Sequence, residues 1–201
     1  MKAVYASPAG LPLATIDLAE VGQFGLMLDY GWHEKEGDLT LSLQDNRSGE
    51  LLFTLSFSIS NFEAGHQEIF IGGLQGNKSA NDKDRIIDFT RGLHGLRPKA
   101  LIMFTLQQLA MNWKITHLRA ISDDTHIYRH AHKRKDLLVR YDEFWSECGG
   151  TLAPDGMFDL PVTPVEREIS TLKANKRQMY RRRYVMLAEI ADQIRASLLS
   201  V

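Results

Sequence analysis

The sequence predicts an α+β fold: an antiparallel or mixed sheet packed with helices, in a single domain that ends in a long C-terminal helix. Three observations predict it. Residues 24–59 hold three runs in which apolar and polar side chains alternate, the period-2 pattern of antiparallel strands with one wet face. Residues 81–113 change to apolar spacings of three and four, the helical period. Near the C-terminus, Leu187, Ile190, Ile194 and Leu198 fall on one helical face. The 201 residues suit one domain, and 44% hydrophobic with 24% charged residues excludes a mainly disordered chain.

The elements follow in order. Residues 1–22 carry Pro8, Gly10 and Pro12 with little periodicity, and are expected to be an N-terminal arm or the remnant of a longer N-terminal region. The domain is expected over 23–201. Its first strand alternates Phe24, Leu26 and Leu28. A second alternates Leu39, Leu41 and Leu43 with Thr40, Ser42 and Gln44. A third alternates Leu51, Phe53, Leu55, Phe57 and Ile59 with Thr54, Ser56 and Ser58. The intervening 45–49, Asp-Asn-Arg-Ser-Gly, has turn composition. A fourth strand is expected over 67–74. Asn81 then suits a helix cap, with Asp82 and Asp84 where the helix dipole favours acids. Gly95 and Pro98 break that helix. The next, over 98–113, is apolar around most of its circumference and is expected to be buried. Residues 116–122 read as a strand, 141–148 as a short helix closed by Gly149 and Gly150, and 151–165, with three prolines, as a loop.

Composition bounds the function. One cysteine, Cys148, permits no internal disulfide and no cysteine-based zinc cluster, which fits a reducing compartment. The N-terminal residues lack the apolar core of a signal peptide, and no stretch reaches the roughly eighteen apolar residues of a membrane span, so the expected location is cytoplasmic. The net charge of −1 combines a mildly acidic first part with a mildly basic remainder from Arg129. That falls short of a basic nucleic-acid-binding domain.

Four segments contain residue types that do chemistry. In IGGLQGNKSANDKDR (71–85), a strand gives way to a helix, and Gln75, Gly76 and Lys78 could cradle a phosphate at the helix N-terminus; the bland alternative is a bulge and a surface turn. In TRGLHGLRPKAL (90–101), Arg91, His94 and Arg97 could bind a phosphate or carboxylate, or simply pair locally at a helix corner. In SDDTHIYRHAHKRK (122–135), His126 beside Asp123 is a candidate general base. The spacing of His126, His130 and His132 matches no zinc motif, so no metal is expected. In KRQMYRRRY (176–184), Lys176, Arg177, Arg181 and Arg182 form a basic surface. Arg183, four residues before Leu187, should point inward and need an internal partner.

These segments, with EGDLTLSL (36–43) and YDEFWSECGG (141–150), resemble the VirK/YbjX family of Gram-negative bacteria over nearly all of residues 30–194. Family members are usually longer at the N-terminus. The resemblance implies a link to virulence and to tolerance of membrane-active antimicrobial peptides through the cell envelope, and carries over no catalytic residues. Two functions stay open. The order of strands, Gly-containing turn, helix and strand matches an acetyltransferase-like (GNAT-like) fold, in which Gln75, Gly76 and Lys78 would hold the pyrophosphate of acyl-CoA, and His126 or Asp123 would take a proton from the acceptor. The alternative is a non-catalytic regulator whose basic C-terminal helix binds nucleic acid or an acidic envelope component.

Overall fold

A computed structural model of the chain describes residues 10–31, 33–61, 67–76, 82–127 and 140–200. Among these residues eight strands form one sheet: β1 (Leu11–Leu18), β2 (Gly22–Tyr30), β3 (Leu39–Asp45), β4 (Leu51–Asn61), β5 (Gln67–Gly76), β6 (His117–Ala120), β7 (Thr151–Leu152) and β8 (Phe158–Leu160). The helices among the described residues are α1 (Asp82–Gly92), α2 (Pro98–Asn112), α3 (Tyr141–Glu147) and α4 (Ala174–Leu199). The strand order is β1-β2-β3-β4-β5-β6-β8-β7. Among the described residues only β5 and β6 pair in parallel. Parallel pairing needs a long crossover, and α1 with α2 supplies it.

Alternation gives the sheet two faces. Leu26, Leu28, Leu41, Leu43, Leu55 and Ile71 are fully buried on the face that carries α1 and α2. Phe89 of α1 meets Phe24 of β2 edge to face, with ring centroids 4.8 Å apart. Helix α2 is buried around its circumference, at Leu101, Ile102, Leu106, Leu109 and Ala110, as its apolar ring predicts. The opposite face departs from expectation. Thr40, Ser42, Thr54 and Ser56 read as a wet face, yet none is more than 5% exposed.

The segment expected to be an arm contributes an edge strand, β1, antiparallel to β2. Helix α4 lies along it. Gln193 Oε1 accepts from the backbone N–H of Thr15 at 2.9 Å, and Ser197 Oγ donates to the carbonyl of Pro12. Both contacts satisfy edge groups that would otherwise template another strand. Ile190 and Ile194 anchor α4 in the core. Residues 151–165, expected to be a loop, contain the β7–β8 hairpin, closed by Ala153 N–H to the carbonyl of Met157 at 2.7 Å. Strands of two and three residues are too short to show a period.

A bulge interrupts the β4–β5 pairing. Ser56 opposes Gly73 and Phe57 opposes Ile71, leaving Gly72 as the extra residue. A Cβ on Gly72 would stand 2.0 Å from the backbone oxygen of Glu36, in the turn between β2 and β3. Neither backbone can retreat without breaking the sheet. Gly72→Ala should therefore destabilise the protein by about 1–3 kcal/mol, measured as a lower urea midpoint; an unchanged midpoint would contradict this packing.

Candidate functional site

The parallel β5–β6 register ends at Ile71 and Ala120, with one further bond from Ile121 N–H to the carbonyl of Ile71 at 3.0 Å. Strand β5 runs on to Gly76, but β6 has stopped. The two strands part, and α3 wedges into the gap. The Tyr141 hydroxyl accepts from the N–H of Leu74 at 3.2 Å and donates to its carbonyl at 3.3 Å. Trp145 Nε1 donates to the carbonyl of Ile121 at 2.8 Å. One tyrosine thus satisfies the β5 backbone where a strand would otherwise pair.

Around this gap the fold assembles a buried polar cluster. Glu36 and His126 are 5% and 3% exposed, and His126 Nε2 lies 3.9 Å from Glu36 Oε1. Gln75 Nε2 donates to both Glu36 oxygens, at 2.9 and 2.8 Å. The carboxylate rests over Gly73, where a Cβ would meet Oε2 at 2.0 Å, so only glycine admits it. The His126 ring stacks on Tyr141, with centroids 5.2 Å apart and planes at 26°. Burial holds the imidazole below its usual pKa, against the opposing pull of Glu36 and Asp123. At neutral pH it is an uncharged base beside an acid. Burial pushes the Tyr141 phenol up to about 12, so it stays protonated.

The site expected from sequence is divided. Gln75 belongs to the Glu36–His126 cluster, and Gly76 closes β5 against the Phe53 ring. Lys78, His130 and His132 lie outside the described residues. Asp123 is engaged at the start of α3: its Oδ1 accepts the Tyr141 N–H at 2.9 Å, and Asp142 Oδ1 accepts the Asp123 N–H at 2.8 Å. Arg91 pairs with Asp88 one turn back at 3.0 Å, and Arg97 pairs with Glu147. His94 sits at the α1–α2 corner with φ of 51°. Its ring is held below its usual pKa by burial, then by Arg182 and Arg183. Arg91 and Arg97 are thus held in ion pairs, and His94 lies at the α1–α2 corner, whereas Gln75 and His126 meet at Glu36.

The C-terminal tract also splits. Arg183 donates through Nε and a terminal nitrogen to the carbonyl of His94, at 3.2 and 2.7 Å, and lies 4.1 Å from the Tyr180 ring centroid. Arg177 is not free for a partner as expected: it donates to the carbonyls of Leu172 and Ser170, at 2.9 and 3.1 Å. Lys176, Arg181 and Arg182 are exposed. A cavity of about 370 Å³ opens between α2, α3, α4 and residues 164–167, with Arg97, Phe104, Phe144 and Arg183 in its wall. Cys148 also lines it, but burial pushes the thiol up to about 12, which makes it a poor nucleophile.

Sequence reasoning missed Glu36 and Tyr141. Both stood inside stretches that carried the family resemblance, and Tyr141 opened the short helix expected over 141–148.

No helix among the described residues is long and apolar enough to cross a membrane. Compared with known proteins, the chain is 33% identical over 195 residues to the uncharacterized protein YbjX of Escherichia coli K12, covering 95% of this chain and 58% of that protein. Two uncharacterized proteins of Haemophilus influenzae are each 28% identical, over 159 and 179 residues; the matches cover 79% and 89% of this chain and 52% and 59% of theirs. The chain thus spans little more than half the length of these relatives. Among solved structures, a cAMP-binding acyltransferase from Mycobacterium smegmatis, in two mutant forms, matches with a TM-score of 0.44 and 10% identity, covering 90% of this chain and 57% and 56% of those chains. The family model described as protein of unknown function (DUF535) matches residues 1–196, and the chain belongs to that family, in keeping with its VirK/YbjX-like segments.

Proposed function

We propose that this domain is an acyl-CoA-dependent acyltransferase in which His126 is the general base. One observation carries the reading: a buried, uncharged histidine faces a buried carboxylate at the point where β5 loses its neighbour. The parting of parallel strands exposes a backbone edge, and an extended amide-bearing arm such as that of acyl-CoA can add to such an edge as a strand. Acyl-CoA supplies the thioester. His126 takes the proton as the acceptor's lone pair attacks the thioester carbonyl, and Glu36 stabilises the imidazolium that forms. The carbon–sulfur bond breaks and the thiolate leaves, to be protonated. Gln75 holds Glu36 in place, and Tyr141 must yield the Leu74 backbone groups to the incoming arm. The pyrophosphate role expected of Gly76 and Lys78 remains part of this proposal.

A second reading rests on the exposed Lys176, Arg181 and Arg182 beside Arg91, as a surface for nucleic acid or an acidic envelope component.

Four outcomes test these readings. Acetyl-CoA or a longer acyl-CoA at millimolar concentration should raise the melting temperature in proportion to the logarithm of its concentration. His126→Gln and Glu36→Gln should each lower acyl transfer by about 10²-fold or more while keeping that shift; no shift in the parent protein would count against an acyltransferase. The depressed pKa of His126 has a stability consequence. The unfolded chain binds its proton near pH 6.5, whereas the folded chain resists it, so this contribution is whole above that pH and is lost as pH falls toward the folded value. Urea titrations from pH 7 to pH 5 should show a steeper stability loss for the parent than for His126→Gln. If the basic surface is the active one, binding to an anionic probe such as single-stranded DNA or anionic vesicles should fall steeply with salt and vanish in the double variant Arg181→Glu, Arg182→Glu. Salt-insensitive binding would rule it out.

A further inference from the structure

On the face away from α1 and α2, two polar rows cross the central strands. Asp29 pairs with Thr40, Thr40 with Ser56, and Ser56 with Gly73; beside them run Met27, Ser42, Thr54 and Gln75. Directly opposed residues share a face. Because the Glu36 carboxylate rests over Gly73, these rows connect Asp29 to the Glu36–His126 pair. From β2 to β5 there are three interstrand steps, or about 14 Å.

This floor buries hydroxyls and a carboxyl, although serine, threonine and aspartate mostly stay exposed. Thr40 and Ser42 are 0% exposed, Ser56 1%, Thr54 5% and Asp29 9%. Ser42 Oγ donates to Asp29 Oδ2 at 3.3 Å. Even so, burial holds the Asp29 carboxyl above its usual range. Thr40 Oγ1 is fully buried and has no hydrogen-bond partner among the described residues. A buried hydroxyl without a partner, next to a carboxyl taken out of water, costs stability that the fold has no structural reason to spend. Such local violations mark sites of function.

The chemistry selects the ligand. Strands β2 to β5 contain no lysine or arginine. An anion would meet the carboxylates of Asp29 and Glu36, and an apolar ligand would leave the hydroxyls unsatisfied. An ammonium group donates to both kinds of oxygen. Two carboxylate ends separated by a row of hydroxyls fit a linear molecule with a cation at each end.

We infer that this floor is the acceptor site and that it takes a linear polyamine, one ammonium held by Asp29 with Thr40 and Ser42, the other delivered to Glu36 and His126 for deprotonation. The inference rests on the acyltransferase reading and names its acceptor class.

The test uses spermidine, with 1,3-diaminopropane as a short diamine and 1,8-octanediol as a neutral chain, each titrated by calorimetry and thermal shift. Spermidine should bind, the short diamine should bind more weakly, and the diol should not bind. Asp29→Asn and Thr40→Val should each weaken spermidine by about tenfold or more, as expected when one partner of a buried charged contact is removed. Asp29→Asn should nevertheless be at least as stable as the parent at pH 7, because it removes a carboxyl whose ionisation burial opposes. Absence of spermidine binding, or binding unchanged in both variants, overturns the inference. Acyl-CoA binding in the same protein separates the two claims. Acyl-CoA binding without spermidine binding refutes the acceptor site and leaves the transferase reading. Spermidine binding that depends on Asp29, without acyl-CoA binding, refutes the transferase and leaves a polyamine site.

Discussion

The parallel pairing of β5 with β6 is short, and its ending organises the rest of the molecule. Four paired positions hold the strands together, from Glu68 opposite His117 to Ile71 opposite Ala120. Beyond them β5 continues through Gly72 and Gly73 with a naked edge, and backbone groups cannot stay buried without partners. The hydroxyl of Tyr141 meets that demand, on a helix whose start is tied to Asp123 by two hydrogen bonds. The glycines that follow the break let the turn carrying Glu36 lie on the strand itself. The Glu36–His126 pair is therefore a consequence of where the sheet comes apart.

The two faces of the sheet are built on opposite principles. The helix-covered face is uniformly apolar, and each leucine there gains roughly 1.5–3 kcal/mol by leaving water. The other face buries hydroxyls, amides and carboxyls, each costly unless hydrogen-bonded. Gln75 and Ser42 repay part of that cost for Glu36 and Asp29. The imbalance places the polar work of the protein on β2 to β5, away from the basic C-terminal tract.

That tract has a different task. Arg183 reaches from α4 to the carbonyl of His94, in a corner where His94 and Gly95 both take left-handed backbone angles, and so ties the last helix to the α1–α2 junction. A guanidinium can do this without a carboxylate because its planar fork takes the carbonyl with two donors while its face stacks on Tyr180. Gln193 and Ser197, further along α4, close the edge of β1. The C-terminal helix is thus a clamp, and its cations at 176, 177, 181, 182 and 195 are exposed.

Periodicity alone determined the strands from Phe24 to Leu74, the buried helix after Pro98 and the terminal helix. These patterns are local, because a period of 2 or 3.6 states which side of its own element a residue occupies. The same local reading placed His126 among candidate bases. It could not say that the polar sides of β3 and β4 are buried, that Asp123 hydrogen-bonds the start of α3, or that Glu36, ninety residues before His126 in the chain, is its neighbour. Nor could it recognise β1 in a proline-containing segment, or β7 and β8 in strands too short to alternate. Those facts depend on what covers a face and which distant segments meet. Only the tertiary structure decides them, since burial and pairing belong to the assembled sheet and not to any stretch of sequence.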